Sequence, residues 1–343
     1  MRKIRIAQIG TSRNSHGISI WNSLKKQSDI FEICGYAMPE GEKEKFPEQM
    51  TAFKDYTELT LDEIMKDPSI EAVAIETEEI YLTKYAILAA ENKKHIHMEK
   101  PGGTVLSDFE RLIEAVKKNK TAFHLGYMYR YNPYIKSLID RVKSGELGEI
   151  ISVEAQMSGY HPTELRSWLK TFSGGIMFFL GCHLVDLILQ IQGKPERIIP
   201  LNKSTGLDNI DSTDFGMAVF EYKNGVSFAK TTDIEHGGFL RRQLVVTGTK
   251  GMIEVRPLEE NVNYPGITTH FKENFDKSWN AKAETRISEE FDRYDNMLIS
   301  FAQIAAGEKE NPYSCDYELE LYKTVLECCG IASASCLRSK RFI

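Results

Sequence analysis

The sequence predicts two consecutive α/β domains, the first built on a parallel sheet and the second on an antiparallel sheet. Three observations lead to this prediction. The chain has 343 residues, enough for two domains of about 150 residues each. Short apolar strands alternate with helical segments in the first third of the chain. Beyond about residue 145, strands of alternating polarity follow one another through turns that are typical of hairpins.

The composition is that of a globular protein with neither a nucleic-acid nor a membrane partner. Hydrophobic residues make up 42% of the chain and charged residues 27%. Lys and Arg number 43 against 49 Asp and Glu, and the net charge of −6 disfavours a general binder of phosphate backbones. No apolar run approaches the ~20 residues of a membrane helix. Gln8 and Gly10 interrupt the apolar N-terminus too early for a secretory signal peptide.

The cysteine pattern predicts neither a disulfide framework nor a zinc site. No two of the six cysteines form a CxxC pair, and four lie in one C-terminal stretch. They are Cys34, Cys182, Cys315, Cys328, Cys329 and Cys336. The simplest interpretation is a reducing, cytoplasmic location.

The first domain, residues 1–124, is predicted to contain five strands separated by helices. The strands are Ile4–Ile9, Phe31–Ala37, Ala72–Ile75, His95–Met98 and Ala122–Leu125. The helices are His16–Gln27, Leu61–Lys66, Thr83–Asn92 and Ser107–Lys118. Repeated βαβ units of this kind form a parallel sheet covered by helices on both faces.

The second domain, residues 125–343, is predicted to combine antiparallel strands with three helices. The strand Ile150–Ser158 alternates in polarity, and two hairpins follow it. The first joins Met217–Tyr222 to Val226–Thr232 through Lys223-Asn224-Gly225, and the second joins Leu244–Thr247 to Met252–Val255 through Gly248–Gly251. The helices are Gly174–Gln192, Ser288–Ala306 and Tyr317–Cys336, the last a candidate to pack back on the first domain.

The loop after the first strand is a degenerate dinucleotide fingerprint. Ligands of open parallel sheets bind at the carboxyl ends of the strands. Of the three glycines in G-x-G-x-x-G, only Gly10 is present, and Ser12 and Ser15 replace the other two. The helix N-terminus still offers amides to a pyrophosphate, and Arg13 and Asn14 add donors.

The second strand lacks the acid that accepts the ribose hydroxyls of NAD, because Met38 stands at its end. Glu40 is one substitute, and Arg13 offers an alternative by tolerating the 2′-phosphate of NADP. The third strand ends in Glu76, Thr77, Glu78 and Glu79, whose acids repel a pyrophosphate unless they point away. For Glu78 and Glu79, a solvated face is a plausible alternative.

The fourth strand ends in Glu99-Lys100-Pro101, which is the most specific local signal. Pro101 restricts the backbone of Lys100 and holds that lysine at the sheet edge. There its ammonium can polarise a carbonyl or stabilise an alkoxide, whereas the alternative is a surface lysine before a turn. His95 and His97 share a face with Glu99, but a metal site is not predicted for this strand.

The apolar segment Gly174–Gly193 carries three polar residues, His183, Asp186 and Gln190, on one helical face. Asp186 is positioned to accept one ring N–H of His183, which leaves the other nitrogen as a general base. The alternative is a histidine–aspartate pair that only satisfies itself within the core.

Four segments together resemble the glucose–fructose oxidoreductase, inositol dehydrogenase and MocA-like (Gfo/Idh/MocA) family. They are Gly10–Gly17, Glu99-Lys100-Pro101, Tyr127–Pro133 and Gly174–Asp186 with its Gly-Cys-His183-x-x-Asp186 element. The Gly248–Gly251 hairpin is also similar. The resemblance implies a Rossmann domain that binds NAD or NADP, then an α/β domain with a large, open, mainly antiparallel sheet. It also implies a homo-oligomer, a dimer or a tetramer.

The resemblance further implies oxidation of a sugar, inositol or related polyol. Lys100 would orient and polarise the hydroxyl, His183 would remove its proton with support from Asp186, and hydride would pass to the nicotinamide. The cofactor-binding positions carried over are Gly10, Thr11, Ser12, Arg13, Asn14, Met38, Thr77, Glu99, Lys100 and Met128. The substrate-binding positions are His161, Trp168, Phe179 and His236.

The chain departs from the family pattern at several of these positions. Phe179 stands where the family has an aspartate, and Thr77-Glu78-Glu79 replaces Thr-Pro-Asn. Two further hypotheses therefore stand beside dehydrogenation. One is transient oxidation that supports elimination or hydrolysis of a sugar derivative, and the other is a non-catalytic protein that binds a sugar or nucleotide.

Overall fold

The computed structural model describes residues 2–331, which form two compact units. The first unit comprises residues 2–128 and 294–322, and the second comprises residues 129–293 and 323–331. Cys336 and the end of the predicted helix Tyr317–Cys336 lie outside the described residues. Among the residues described, no helix has the length and apolar character needed to cross a membrane. The predicted division into 1–124 and 125–343 stays a prediction.

The first unit contains a five-stranded parallel sheet in the order β2-β1-β3-β4-β5. Its strands are β1 (Ile4–Ile9), β2 (Phe31–Ala37), β3 (Ala72–Ile75), β4 (His95–Met98) and β5 (Phe123–Leu125). The strand order reverses between β1 and β3, which is where ligands bind in open α/β sheets. The first four strands match the predicted ranges, and β5 begins one residue later than predicted.

Residues 2–128 of the first unit contain five α-helices. They are α1 (Gly17–Lys26), α2 (Glu42–Lys45), α3 (Leu61–Lys66), α4 (Leu82–Glu91) and α5 (Leu106–Asn119). α3 is short but begins with a capping box, in which Thr60 and Glu63 satisfy each other's backbone amides. α5 buries Phe109, Leu112 and Val116 at the spacing of one helical face.

The second unit contains an eight-stranded mixed sheet in the order β15-β14-β11-β10-β6-β9-β8-β7 and a three-stranded sheet, β12-β13-β16. The strands are β6 (Ile150–Ser158), β7 (Arg197–Pro200), β8 (Phe215–Tyr222), β9 (Gly225–Thr232), β10 (Gln243–Gly248), β11 (Met252–Val255), β12 (Glu260–Asn263), β13 (Gly266–Thr268), β14 (His270–Asn274), β15 (Arg286–Ile287) and β16 (Phe291–Asp292). β6 and β9 pair in parallel, whereas the other described pairs of the large sheet are antiparallel. The predicted fold class is confirmed, including both hairpins.

Helices of the second unit are α6 (Pro133–Lys143), α7 (Thr163–Trp168) and α8 (Cys182–Gln192). α8 packs on β6 and β9. It is preceded by one π-helical turn, Met177–Gly181, where the sequence predicted a continuous α-helix from Gly174. Gly174 and Gly175 both have positive φ, so the backbone turns sharply before this helical segment.

The last two helices are α9 (Asp295–Ala305) and α10 (Cys315–Cys328). The predicted start of the first of these, Ser288, is wrong. Phe291 and Asp292 instead form β16, which pairs with β13 through Ile267 and Gly266. Pairing with a strand that is distant in sequence overrides the local helical pattern here. The sequence analysis also missed α6, α7, β7 and the strands β12 to β15.

Candidate functional site

The loop after β1 places its backbone against the end of β3. Gly10 has a φ of +84°, and a Cβ there would lie 2.4 Å from Cγ2 of Thr77, so only glycine fits. Ser12 is buried and donates its amide to the carbonyl of Glu76 at 2.9 Å. The one glycine that the degenerate fingerprint retains is therefore the one that the fold needs most.

Two carboxylates already accept amides of this loop. The amide of Thr11 donates to Oε2 of Glu42 at 2.8 Å. The amide of His16 donates to Oε2 of Glu99 at 3.0 Å, and Nδ1 of the same histidine lies 2.8 Å from that oxygen. The amide of His16 lies at the N-cap of α1, next to the loop where a dinucleotide pyrophosphate binds in this fold. Glu99 thus stabilises the positive end of the helix from within the protein, while Glu42 binds the loop before it.

The remaining predicted donors of the loop lie nearer to solvent. Arg13 is more than half exposed, and Oε1 of Glu48 accepts from its Nε at 3.0 Å and its Nη2 at 2.8 Å. Met38 packs against the aromatic cluster of Trp21, Tyr36 and Phe53. Its side chain contributes apolar contact here, in agreement with the loss of the ribose-binding acid.

Glu40, the candidate substitute for that acid, is engaged elsewhere. Its Oε1 accepts from Nζ of Lys84 and from the hydroxyl of Tyr85, both at 2.5 Å. These two hydrogen bonds lower the pKa of Glu40, so it is ionised at neutral pH. Lys84 consequently brings a second cation, besides Arg13, to this edge of the sheet.

The acids that follow β3 are not on a solvated face. Glu76 and Glu79 are 0% and 1% exposed, whereas Glu78 is partly exposed and lies 3.5 Å from Nζ of Lys45. The solvated alternative is therefore wrong for Glu79. Burial raises the pKa of Glu79 to about 8, although attraction to Lys100 opposes the increase. Burial and the charge of Glu99 raise the pKa of Glu76 well above its usual value. With a pKa of about 8, Glu79 holds a proton at neutral pH, which reduces the repulsion expected from the sequence.

Lys100 is buried, with 2% of its surface exposed, so the alternative of a surface lysine is wrong. Its amide donates to Oε1 of Glu99 at 2.8 Å. Burial by itself would raise the pKa of Glu99. The charge and the hydrogen bonds of His16 and the charge of Lys100 outweigh burial, so the pKa of Glu99 is lowered. Gly102 and Gly103 have positive φ and pack against Phe109 and Thr83, which lets the chain turn directly after this motif.

The polar face of β4 does not form a metal centre. Nδ1 of His97 lies 2.9 Å from Nδ1 of His124, and burial lowers the pKa of His97 to about 4. In residues 2–331, no group of three or more His, Cys, Asp or Glu side chains is arranged to hold a metal ion. Met128, the predicted neighbour of the nicotinamide, follows β5 and is 5% exposed.

In the second unit, His183 lies in the first turn of α8 and is 2% exposed. Its ring contacts that of Tyr129 edge-on, with centroids 5.3 Å apart. Asp186 accepts from Nε and Nη2 of Arg130 at 3.0 and 2.9 Å, and from Nε2 of Gln190 at 2.8 Å. The predicted polar face thus pairs with Arg130, which lies in the Tyr127–Pro133 segment and had no predicted role. The hydrogen bond between His183 and Asp186 stays a prediction.

A second buried charge network holds Tyr129, and no local sequence pattern predicts it. Oε1 of Glu259 accepts from the Tyr129 hydroxyl at 2.5 Å, from Nη1 of Arg242 at 2.8 Å and from Nη2 of Arg293 at 2.7 Å. Burial and the charge of Glu259 raise the pKa of Tyr129 to about 12. Tyr129 therefore keeps its proton and presents a fixed ring to His183.

Three of the four predicted substrate-binding residues make aromatic contacts, and the fourth, His161, lies in a loop. Trp168 and Phe179 meet edge to face, with centroids 5.3 Å apart. His236 stacks on Tyr160 at 4.5 Å. His161 donates its amide to the carbonyl of Asp233 at 2.8 Å, and burial lowers the pKa of its ring to about 4. His161 and His236 thus follow the carboxyl ends of the parallel pair β6 and β9.

Comparison with protein families agrees with both units. Residues 4–127 match the model described as "Oxidoreductase family, NAD-binding Rossmann fold". Residues 135–254 match the GFO/IDH/MocA C-terminal domain. The chain belongs to the Gfo/Idh/MocA oxidoreductase family. The predictions of an enzyme and of NAD or NADP as cofactor are confirmed with it.

Relatives of this Gfo/Idh/MocA protein are distant. It is 25% identical over 270 residues to an uncharacterized oxidoreductase of Rhizobium meliloti, covering 77% of this chain and 78% of the relative. It is 25% identical over 226 residues to the 2,7-anhydro-N-acetylneuraminate hydratase of Escherichia coli, covering 62% of this chain and 59% of the relative. It is 26% identical over 180 residues to the myo-inositol 2-dehydrogenase of Thermotoga maritima, covering 51% of each chain.

A solved structure shows the same fold over nearly the whole length. The aldose-aldose oxidoreductase of Caulobacter crescentus, complexed with glycerol, superposes with a TM-score of 0.79 at 17% identity. The superposition covers 96% of this chain and 98% of that chain.

The loop after β1 lies where a dinucleotide binds in this fold, but its hydrogen-bond donors differ from those of the G-x-G-x-x-G fingerprint. Gly10 and the start of α1 provide the close backbone approach that the fold requires. The amides of Thr11 and His16 donate to Glu42 and Glu99, whereas the fingerprint leaves such amides for the pyrophosphate.

Proposed function

We propose that this Gfo/Idh/MocA protein oxidises a hydroxyl group of a sugar, an inositol or a related polyol, with Lys100 and His183 at the reacting carbon. The observation that carries the proposal is that both side chains are buried, each 2% exposed, at the predicted functional positions of the fold. A lysine and a histidine are costly to bury, and burial of both at ligand-binding positions favours a role in chemistry.

The proposed roles follow from the charge of each group. The Lys100 ammonium donates to the substrate oxygen and stabilises the negative charge that develops there. His183 accepts the hydroxyl proton as general base. When bound, the nicotinamide supplies the hydride acceptor, and the product is a carbonyl compound. Asp186 and Arg130 position α8 and do not react.

The proposed cofactor contacts come from the ends of all five strands of the parallel sheet in the first unit. Gly10, Thr11, Ser12, Arg13 and Asn14 follow β1, Met38 follows β2 and Thr77 follows β3. Glu99, Lys100 and Met128 follow β4 and β5 and would hold the nicotinamide end. The cations Arg13 and Lys84 favour the 2′-phosphate of NADP at the other end.

The test measures cofactor binding and turnover separately. Wild type, Lys100→Met and His183→Asn are titrated with NADH and NADPH by fluorescence and then assayed at 340 nm against sugars and inositols. Each variant should lose roughly 10²–10⁴-fold in kcat, while His183→Asn keeps its affinity for the cofactor. A wild-type protein that binds neither cofactor at millimolar concentration would contradict the proposal and favour a non-catalytic binding protein.

A second candidate reaction is transient oxidation that supports elimination, hydration or hydrolysis of a sugar derivative. Phe179, packed against Trp168 where the family has an aspartate, favours it, as does the similarity to a hydratase. Sugar turnover without net absorbance change at 340 nm would support this reaction. Stoichiometric formation of NADH would exclude it.

We also propose that the protein is a cytoplasmic homo-oligomer, a dimer or a tetramer. The cysteines of the described residues are all free thiols, which suits a reducing compartment. α8 covers one face of the large sheet, while Val226, on β9, is 53% exposed. Light scattering on the purified protein tests the subunit number, and a monomeric mass at micromolar concentration would contradict it.

A further inference from the structure

Two consecutive residues, Tyr129 and Arg130, contact the polar face of α8. Arg130 donates to both carboxylate oxygens of Asp186, at 3.0 and 2.9 Å. The ring of Tyr129 contacts the ring of His183, with centroids 5.3 Å apart and planes at 87° to each other. His183 and Asp186 are three residues apart in α8, so they lie on one side of the helix. The general base proposed above therefore has a fixed arginine pair below it and an aromatic ring against it.

The hydroxyl of Tyr129 is anchored by Glu259. It donates to Oε1 of Glu259 at 2.5 Å, and the same oxygen accepts from Nη1 of Arg242 at 2.8 Å and from Nη2 of Arg293 at 2.7 Å. Burial by itself would raise the pKa of Glu259, but the charges of Arg293 and Arg242 outweigh burial and lower it. Glu259 thus stays ionised and remains an acceptor for the phenol.

Arg242 connects this anchor to the large sheet. It lies directly before β10, and its Nε donates to the carbonyl of Ser158, the last residue of β6, at 3.4 Å. Its guanidinium also lies over the ring of Phe239, 4.5 Å from the centroid. These contacts hold Arg242 in place, and Arg242 in turn holds Glu259. The Tyr129 ring is consequently fixed at its hydroxyl end by ordered parts of the second unit.

A fixed ring at right angles to an imidazole restricts how that imidazole can turn. Tyr129 and His183 are both buried, at 3% and 2% exposure, so neither ring has free space around it. Perpendicular contact between two aromatic rings is favourable only over a limited range of angles. A general base must direct one nitrogen at the proton that it removes, and small errors in this geometry are costly in rate.

Building on the proposed function, we propose that Tyr129 is a positioning residue that sets the ring plane of His183, with Glu259 as its anchor. The imidazole is thereby presented to the substrate hydroxyl in one orientation. Tyr129 does not transfer a proton itself, because its hydroxyl is committed to Glu259. Its role is to order the base, and removing it should disorder His183 while leaving the substrate contacts intact.

The experiment compares wild type with Tyr129→Phe and Tyr129→Leu. The first variant keeps the ring and removes its anchor, and the second removes the ring. The matched control is Tyr134→Leu, which removes another tyrosine of the same unit, one that stacks on Phe271 with centroids 5.2 Å apart. Glu259 is left intact, because its removal would strand two buried arginines without their counter-charge.

The first measurement is the order of the His183 ring by nuclear magnetic relaxation in protein with labelled histidines. The chain has eight histidines, and the signal that is missing in His183→Asn identifies His183. In wild type we expect an order parameter near that of rigid backbone, about 0.85, and in Tyr129→Leu a value below about 0.6. Tyr129→Phe should lie between them, and Tyr134→Leu should equal wild type. A merely structural role of Tyr129 would lower the melting temperature and leave this order unchanged.

The second measurement is turnover at 340 nm with NAD⁺ or NADP⁺ and with D-glucose, D-galactose and myo-inositol as probes. For the probe that wild type oxidises fastest, kcat should fall roughly three- to tenfold in Tyr129→Phe and roughly 10- to 100-fold in Tyr129→Leu. KM should stay within about twofold, because the orientation of the base affects the transition state and not substrate binding. Tyr134→Leu should keep its kcat within about twofold below its melting temperature.

An ordered His183 ring in Tyr129→Leu would overturn the inference, and so would a kcat loss in that variant no larger than in Tyr134→Leu. If Tyr129→Leu does not fold, Tyr129→Phe decides, since it keeps the packing of the ring. Hydride transfer that is unaffected in both Tyr129 variants rejects this inference alone. Loss of His183 order in Tyr129→Leu, in a protein that oxidises no probe with either cofactor, retains the ordering of the ring and rejects the proposed function alone.

Discussion

The buried acids of the two units are balanced in different ways. In the first unit, Glu76, Glu79 and Glu99 all act electrostatically on one buried lysine, Lys100. One cation does not balance three carboxylates, and burial raises the pKa of Glu79 to about 8 and the pKa of Glu76 well above its usual value. Charge in this region therefore depends on pH.

In the second unit, two of the buried acids are matched with arginines. Asp186 binds Arg130 through two parallel hydrogen bonds, and Glu259 binds Arg242 and Arg293. Guanidinium groups stay protonated in proteins, so these pairs keep fixed charges. In the first unit, charge is thus adjusted by protonation of Glu79, whereas in the second unit Asp186 and Glu259 are held in fixed ion pairs.

The largest expected effect comes from breaking one arginine pair. Asp186→Asn leaves Arg130 buried without its counter-charge, which should cost about 3 kcal/mol of unfolding free energy. For a unit of this size, that lowers the melting temperature by roughly 6–12 °C. Differential scanning calorimetry measures the change.

The matched control for this variant is Asp140→Asn, which breaks a pair with Lys136 at 2.6 Å. Both of those side chains are more than half exposed, so the control should change the melting temperature by about 1 °C or less. The double variant Arg130→Met with Asp186→Leu should recover most of the loss, since it leaves no unpaired charge. An equal decrease in melting temperature in Asp186→Asn and in the control would contradict the proposed importance of the buried arginine pair.

A pH-dependent effect is expected from Glu79 in the first unit. The folded protein holds a proton on Glu79 up to about pH 8, while the unfolded chain releases it near pH 4.5. The native state thus binds more protons in this window, so its stability falls as the pH rises from about 5 to 8. Glu79→Gln removes this dependence.

The difference in melting temperature between Glu79→Gln and wild type should grow from pH 5 to 8, reach several degrees and stay constant above pH 8. His97 and His161, whose pKa burial lowers to about 4, destabilise both proteins equally below about pH 6.5. Their contribution therefore cancels in the difference. Glu78→Gln, at a partly exposed neighbour, serves as the control, and a parallel change in both variants would reject the assignment to Glu79.

The sequence predicted the local features of this fold well and the long-range ones poorly. The parallel strands, the Asn224-Gly225 hairpin and the position of Lys100 follow from periodicity and turn chemistry within short windows. The partners of the buried charges do not. The Tyr129 hydroxyl bonds to Glu259, which lies 130 residues away in the chain, and no local spacing encodes that contact.

Two of the wrong assignments have the same physical origin. The polar residues next to Glu79 in the sequence suggest a solvated acid. In the fold, Glu79 is buried after β3 and interacts electrostatically with Lys100. The local pattern of Ser288–Asp292 predicts the start of a helix. Its last two residues instead form a strand, because they pair with β13. In both cases tertiary packing decides against a local pattern.

The smallest expected effect concerns Glu42, which sharpens the account of the first unit. Burial raises the pKa of Glu42 to about 7, opposed by its hydrogen bond from the amide of Thr11, so near pH 8 it is mostly ionised beside the proposed pyrophosphate position. Glu42→Gln keeps an oxygen that can accept the Thr11 amide and removes the charge. Affinity for NADH should therefore rise about two- to fivefold at pH 8 and low salt, and little at pH 6, where wild type is already protonated.

Glu48→Gln, an exposed acid on the nearby Arg13, is the control, since screening by solvent should keep its effect smaller. Fluorescence titration at both pH values measures these affinities, and a gain of equal size at pH 6 would show that the Glu42 charge is not what limits cofactor binding.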